Sequence, residues 1–191
     1  FLMMTSDSLI FEPGTRWNYC NTGFIYLQLM IEYLTGNTLG EELNSRIFQP
    51  LGLTATEYTT TTNPPDLVNG YWDFDGNGVL DGFNDVTGAN PSMAYAAGSI
   101  CSNIPDMITW MDELAEGSLI GPALQAERLI PLPILNFETG ELGNIGDLSA
   151  VSVGLGLYDE YLSMAGAPGI GSGHYWGHAG SIEGYTAGLF Q

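Results

Sequence analysis

The spacing of apolar residues changes along the chain, and this change most limits the folds open to it. Residues 22–34 carry apolar side chains at helical spacing, which predicts a largely buried helix that ends at Gly36. Residues 151–158 and 174–190 are instead rich in Val, Tyr, Trp and Gly, a composition typical of strands. Helices followed by strands predict an α+β fold, with a helical domain followed by part of an antiparallel sheet.

Shorter segments between these two regions complete the predicted organisation. Residues 39–48 predict an amphipathic helix that ends at Pro50, and residues 102–117 predict a third helix. We therefore predict two domains, a mainly helical one over residues 1–137 and a partial sheet region over residues 138–191. The other predicted segments are a loop over 54–69, an irregular acidic stretch over 73–90, a short helix with an extended link over 118–137, and Gly-rich turns over 166–173.

The charge balance excludes several classes of partner. The 191 residues include 22 acidic side chains, three arginines and no lysine, for a net charge of −19. Such a chain repels phosphate backbones and anionic lipid headgroups, so we predict no nucleic-acid partner. No apolar run approaches the roughly 20 residues that a membrane span requires.

The two cysteines, Cys20 and Cys101, have no spacing typical of a zinc site. The sequence alone leaves a disulfide open, but it favours two buried free thiols.

Several kinds of chemistry are excluded by the motifs that are missing. The sequence contains no G-x-S-x-G, no HExxH and no phosphate-binding loop. His174 and His178 lie in a strand-like segment, where residues four apart are separated by about 13 Å. Two imidazoles at that distance do not share one metal ion.

The segment RWNYCNTGF at residues 16–24 places a phenol and an amide two residues apart. Taken singly, Tyr19 is explained as a packed aromatic at a helix start, Asn21 as an N-cap, and His178 as a structural histidine. Taken together and in this order, they indicate a site. A phenol has an ordinary pKa of about 10, so it acts as a base at neutral pH only beside positive charge.

Four segments in series resemble the penicillin-recognising serine hydrolases, in the branch of class C β-lactamases, D-alanyl-D-alanine carboxypeptidases and related esterases. The resemblance covers nearly the whole chain and implies the serine β-lactamase/DD-peptidase fold. The segments are FEPGTRWNYCNTGFIYLQLMIEYLTGNTL (11–39) with its Tyr-x-Asn motif, IFQPLGLTATEY (47–58), AAGSICSNIPDMITWMDEL (96–114), and YWGHAGSIEGYTAG (175–188) with its His-x-Gly motif.

The resemblance also implies roles for single residues. Tyr19 would be the base partner in catalysis, and Asn21 would hold an amide of the substrate. His178 would hold a carboxylate or tune the tyrosine. Gly180 would let an extended substrate lie against the strand, and the backbone N–H of Ser181 would donate to the oxyanion.

The family nucleophile belongs to a Ser-x-x-Lys motif, which this chain lacks because it contains no lysine. Two explanations remain open: the chain is an internal fragment of a complete enzyme, which its ends favour, or a domain that has lost catalysis. We predict that residues 1–191 alone hydrolyse nothing. Cys20 stands where the family often has Ser or Ala, and Ala179 stands where Thr is common. Both differences weaken the case for a true β-lactamase more than the case for an esterase or a peptidase.

The acidic segment DFDGNGVLDGFND (73–85) resembles a calcium-binding loop. Asp73, Asp75, Asn77 and Asp81 stand at the positions of four calcium ligands, but Asn84 replaces the bidentate glutamate. A weak calcium site and a solvated acidic turn are both consistent with this pattern. The chemistry that the resemblance implies requires no cofactor.

The leading interpretation is part of a serine hydrolase that transfers acyl groups through a serine ester. Its substrates would be D-alanyl peptides, β-lactams or small esters, and the resemblance implies a periplasmic or extracellular location. The alternative is a non-catalytic ligand-binding or regulatory domain of the same fold.

Overall fold

The structure is a computed structural model in which the chain forms two compact units, each built from two separate stretches of sequence. The first unit comprises Phe1–Tyr19 and Pro122–His178, and the second comprises Cys20–Gly121 and Ala179–Gln191. The predicted domain boundary at residue 137 stays a prediction. The residues that the structure describes are 11–13, 15, 19–59, 66–79, 84–89, 91–130, 152–153, 155–162 and 173–190.

Helix α1 (Asn21–Thr35) confirms the first predicted helix, and Gly36 ends it in the left-handed conformation at φ 74°. The N–H of Gly36 donates to the carbonyl of Glu32 at 2.9 Å. The predicted burial is wrong, because none of the 15 residues of α1, all described, is buried. Only one side of the helix packs against the described residues, so its apolar composition overstates its burial.

The second predicted helix continues past Pro50. It comprises α2 (Leu39–Leu43), a π-helical turn (Asn44–Phe48) and α3 (Gln49–Leu51), and it ends at Gly52 with φ 68°. The prediction that Pro50 ends the helix is therefore wrong. In the π-helical turn the N–H of Gln49 donates to the carbonyl of Asn44, five residues back. Pro50 then lies in the first turn of α3, where a residue without an N–H is tolerated.

Two short strands and a helix follow within the second unit. Strand β1 (Glu57–Tyr58) lies inside the predicted loop and pairs antiparallel with β2 (Ile100–Cys101), after a 3₁₀ segment (Pro91–Ala97). Helix α4 (Ile104–Glu116) confirms the third predicted helix but begins two residues later than expected. The reason is its cap, because the side chain of Asn103 accepts from the N–H of Asp106 at 2.9 Å.

A buried carboxylate fixes the start of α4 to the segment before β1. The Oδ2 atom of Asp106 accepts hydrogen bonds from the N–H of Ala55 and the hydroxyl of Thr56, both at 2.8 Å. The hydroxyl of Thr56 also lies 2.7 Å from that of Ser102. Asp106 is buried, so these bonds satisfy a charge that burial would otherwise make costly.

The sheet confirms the predicted helix-to-strand order, and the segments HYWGHAG and GYTAGLF of residues 174–190 form two successive strands as predicted. After α5 (Gly121–Arg128), four strands follow in the sheet order β3-β4-β5-β6. The prediction of one strand over residues 151–158 is wrong, because Gly156 at φ 78° turns the chain within that segment, and Gly184 at φ 82° turns it between the last two strands. The predicted turns at 166–172 lie outside the described residues. The strands are β3 (Ser152–Val153), β4 (Tyr158–Leu162), β5 (Gly173–Ile182) and β6 (Tyr185–Phe190).

The turn between β5 and β6 packs against the base of the acidic loop. There the N–H of Val86 donates to the carbonyl of Gly70 at 2.9 Å, and the hydroxyl of Tyr185 donates to the carbonyl of Val68 at 3.0 Å. A Cβ atom on Gly184 would overlap the Val86 side chain and lie 3.0 Å from the backbone nitrogen of Tyr71. Gly184 is therefore required both by its backbone conformation and by its neighbours.

Gly184→Ala should lower the free energy of unfolding by about 2–3 kcal/mol, since it adds overpacking to left-handed strain. Gly76→Ala is the matched control, because Gly76 has φ 68° but a Cβ atom added there would meet no atom within 4 Å. Its cost should be near 1 kcal/mol, from strain alone. Urea denaturation measures both, and equal losses would show that the packing at Gly184 is unimportant.

Candidate active site

Tyr19 and His178 come together in the first unit although they lie near opposite ends of the chain. Their ring centroids are 6.4 Å apart, with an angle of 39° between the ring planes. Tyr19 is about half exposed, with 48% of its surface accessible, and His178 is partly buried. A phenol and an imidazole at this distance can both form hydrogen bonds with one reactant that lies beside the two rings.

Asn21 is the first residue of α1, two positions after Tyr19. The N-cap of that helix is Cys20, with φ −152° and ψ 105°, and the Cys20 side chain makes no capping hydrogen bond. The interpretation of Asn21 as an N-cap is therefore wrong. Asn21 instead begins the helix itself, two residues after Tyr19, as in the Tyr-x-Asn motif.

Gly180 and Ser181 lie on β5 beyond the point where pairing with β4 stops. Among the described residues the last pair of that register is Tyr158 with Gly177, so residues 178–182 extend past the start of β4. Both residues are exposed, and a Cβ atom on Gly180 would meet no atom within 4 Å. This exposed part of β5 is where the sequence predicts that an extended substrate lies.

Comparison with known proteins identifies the family. The sequence matches the Beta-lactamase family over residues 3–190. The chain belongs to the Beta-lactamase family. Its fold is that of the serine β-lactamases and DD-peptidases, so it is a member of the penicillin-recognising serine hydrolases, and this confirms the resemblance seen in the four sequence segments.

The chain is similar to a D-aminopeptidase, a D-stereospecific amidohydrolase and a D-amino acid amidase. A D-aminopeptidase of Brucella anthropi is 36% identical over 100 residues, which are 52% of this chain and 18% of the relative. A D-stereospecific amidohydrolase from Streptomyces sp. is 32% identical, with a TM-score of 0.70 over 91% of this chain and 46% of that one. A D-amino acid amidase from Ochrobactrum anthropi SV3, complexed with L-phenylalanine amide, is 27% identical, with a TM-score of 0.69 over 92% and 46%. The chain thus spans about half the length of these solved relatives.

The acidic loop uses its predicted calcium ligands to bind its own backbone. The carboxylate of Asp73 accepts from the N–H groups of Asn77 at 3.2 Å and Gly78 at 2.9 Å, and Asp75 also accepts from Asn77. The hydrogen bond from Gly78 is the main reason why the pKa of Asp73 is lowered. Among the described residues, which exclude Asp81, no group of three or more acidic, histidine or cysteine side chains is placed to hold a metal ion.

Both cysteines are free, which confirms the favoured prediction of two unpaired thiols. The predicted burial is wrong for Cys20, which is exposed, whereas Cys101 is partly buried. Burial is the main reason why the pKa of Cys101 is raised, so its thiol stays protonated and unreactive at neutral pH.

A polar hub in the second unit was missed by the sequence reasoning. The side-chain carbonyl of Gln28 accepts from the hydroxyl of Tyr58 and the N–H of Ala96, both at 3.1 Å. Next to Ala96, Tyr95 has φ 46° and ψ −141°, a strained backbone conformation. The sequence held one sign of this hub. Gln28 and Glu32, four residues apart, are the two strongly polar residues in an otherwise apolar stretch of α1.

The hub forms one wall of an apolar cavity of about 420 Å³ within the second unit. Phe24, Leu27 and Tyr95 are among the side chains that line it. Burial, and then the nearby charge of Glu32, raise the pKa of Tyr58, which also lines the cavity. The Tyr58 phenol is therefore a neutral hydrogen-bond donor at physiological pH.

Among the described residues, no helix is long and apolar enough to cross a membrane.

Proposed function

We propose that this chain supplies the tyrosine and histidine of a serine hydrolase that cleaves amide bonds next to D-amino acids. The placement of Tyr19 beside His178, with ring centroids 6.4 Å apart, carries this proposal. The substrate class is supported by the relatives, which are named as a D-aminopeptidase, a D-stereospecific amidohydrolase and a D-amino acid amidase. Carboxypeptidase, β-lactamase and esterase activities are the alternatives within the same class of serine hydrolase.

The proposed reaction passes through a serine ester. The serine belongs to a Ser-x-x-Lys motif that lies outside residues 1–191 of the complete protein. Its Oγ attacks the substrate carbonyl and its proton passes to Tyr19 as the C–O bond forms. The tetrahedral intermediate then expels the amine, which takes up that proton, and water hydrolyses the ester to release the acid and restore the serine.

Each predicted residue has one proposed task in this reaction. The imidazole of His178 would bind the substrate beside the phenol of Tyr19. The amide of Asn21 would hold the substrate's own amide. The N–H of Ser181 would donate to the developing oxyanion, and Gly180 would let the substrate chain lie along β5.

We also propose that the protein acts in the periplasm or outside the cell, which the family resemblance and the net charge of −19 support. Calcium is no part of this proposal, because Asp73 and Asp75 already bind the backbone of their own loop.

Stereospecific hydrolysis is the test of the proposed function. The complete protein should hydrolyse D-phenylalanine amide at least about 100-fold faster than the L-enantiomer, a preference of nearly 3 kcal/mol in transition-state binding. Residues 1–191 alone should release no ammonia. Equal rates for the two enantiomers would contradict the substrate class, and no hydrolysis of any amide, ester or β-lactam would contradict the enzyme.

A second function is favoured by one observation, the absence of lysine from the chain. Without Ser-x-x-Lys in the complete protein, the same fold would be a non-catalytic domain that binds D-amino acid derivatives. Sequencing the reading frame before Phe1 separates the two functions, since only the enzyme needs that motif.

A further inference from the structure

Three apolar side chains of the acidic loop are grouped around one buried residue, Asn84. The carbonyl oxygen of Asn84 accepts a hydrogen bond from the N–H of Trp72 at 2.8 Å, and its Oδ1 atom accepts one from the N–H of Phe74 at 3.3 Å. Its Nδ2 group donates to the carbonyl of Val79 at 2.6 Å. Asn84 is only 1% exposed, so a single fixed residue holds the backbone that carries all three side chains. We call Trp72, Phe74 and Val79 the loop patch.

The loop patch is exposed although the loop itself is well bonded. Trp72, Phe74 and Val79 are 45%, 54% and 57% exposed, respectively. The turn that leads to Val79 is closed by Asn77, whose Oδ1 atom accepts from the N–H of Val79 at 2.6 Å. Apolar side chains that protrude together from a hydrogen-bonded loop indicate an interaction surface. Because these hydrogen bonds already fix the loop, binding a partner there costs little conformational entropy.

The charge around the loop patch is all of one sign. Residues 66–89 contain no arginine, lysine or histidine, and their five acidic residues are Asp66, Asp73, Asp75, Asp81 and Asp85. The hydrogen bond from the N–H of Gly78 is the main cause that lowers the pKa of Asp73, and hydrogen bonds from Thr87 lower the pKa of Asp85. Both carboxylates therefore stay ionised at neutral and mildly acidic pH. A partner that fits this surface brings positive charge.

We propose that the loop patch binds a cationic, amphipathic segment of another protein, one that combines lysine or arginine with apolar side chains. The apolar side chains would cover Phe74 and Val79, and a cationic side chain would lie over the ring of Trp72. A second copy of this chain is the wrong partner, because each copy carries a net charge of −19 with three arginines and no lysine. The inference is independent of the proposed function, since it uses no residue of the proposed active site.

Peptide binding to the complete protein tests this inference. The probe is a fluorescein-labelled amphipathic peptide of lysine and leucine, and fluorescence anisotropy at physiological salt measures its Kd. Val79→Ser should raise the Kd about 10-fold, whereas Val68→Ser should change it less than about twofold. Val68 is the matched control because it is a valine of the same loop, 74% exposed, that lies outside the loop patch. Trp72→Ser should give the same loss as Val79→Ser and replaces it if that variant does not fold.

The contribution of charge is tested with Asp75→Asn and Asp112→Asn. Both residues are exposed, and both substitutions change the net charge by the same amount. Asp75→Asn should raise the Kd about fivefold and Asp112→Asn less than about twofold, because Asp75 follows Phe74 in the loop whereas Asp112 lies on α4. A peptide of glutamate and leucine and a peptide of lysine and serine should each bind at least about 10-fold more weakly than the probe.

Equal losses within either pair of variants would show only a general attraction to an acidic protein, and would overturn the inference. Absence of binding by the probe, or self-association that Val79→Ser abolishes in sedimentation, would also overturn it. A last measurement tests whether another segment of the complete protein covers the loop patch. In a background with Cys20→Ser and Cys101→Ser, Val79→Cys should react with a maleimide within about threefold of the rate of Val68→Cys. Strong protection of residue 79 alone would contradict a surface that is open to a partner.

Discussion

Replacement of Tyr19 by phenylalanine should lower kcat/KM for D-phenylalanine amide in the complete protein by about 10²–10⁴-fold. A positioned general base contributes an acceleration of this size, and the substitution removes only the phenolic oxygen that would take the serine proton. Because the ring of Tyr19 stays in place beside His178, substrate binding should change little. The loss should therefore appear in kcat, measured as initial rates of ammonia release.

Tyr33→Phe is the matched control for this experiment. Tyr33 lies on α1, with 88% of its surface exposed. Its substitution should leave kcat/KM unchanged within twofold, about 0.4 kcal/mol. A loss below tenfold in Tyr19→Phe, with a native thermal unfolding transition, would contradict the proposed role of Tyr19.

Asp106→Ala should lower the free energy of unfolding by about 2–4 kcal/mol, the largest effect expected outside the proposed active site. The substitution leaves the N–H of Ala55 and the hydroxyl of Thr56 without their carboxylate partner, 2.8 Å away in each case. It also removes a negative charge from the first turn of α4, where the helix dipole favours it. Denaturation in urea measures the change.

Asp112→Ala on the same helix is the control for Asp106→Ala. Asp112 is exposed, so its substitution should cost less than about 0.5 kcal/mol. Similar losses for the two variants would show that the bonds to residues 55 and 56 do not stabilise the protein.

Local patterns predicted the elements whose ends are set by their own residues. α1 ends at Gly36 and α4 ends at Gly117, as predicted, because each glycine adopts a left-handed conformation that stops a helix. The continuation through Pro50 was not predictable from proline alone, since a π-helical turn ends at Phe48 and places Pro50 in the first turn of α3. The exposure of α1 was missed because periodicity shows which residues favour burial and not what covers them.

The proximity of Tyr19 and His178 shows a different limit of sequence reasoning. Tyr19 and His178 were each recognisable by a short motif, but residue chemistry alone does not bring two distant segments together. The family resemblance supplied that connection, and the 6.4 Å separation of the rings is what the structure adds to it. In the acidic loop, by contrast, one local pattern fits two structures. Alternating carboxylates match a calcium motif, and they also suit a turn in which they accept hydrogen bonds from the N–H groups of Asn77 and Gly78.

Acylation by a penicillin tests the central claim most directly, since the claim is that Tyr19 activates a serine for attack on an acyl group. The complete protein is mixed with excess benzylpenicillin, and the mass of the intact protein is followed with time. The account predicts an adduct of one penicilloyl group on the Ser-x-x-Lys serine, formed at least about 100-fold more slowly in Tyr19→Phe. No adduct, or an adduct that forms equally fast in the two proteins, would contradict it.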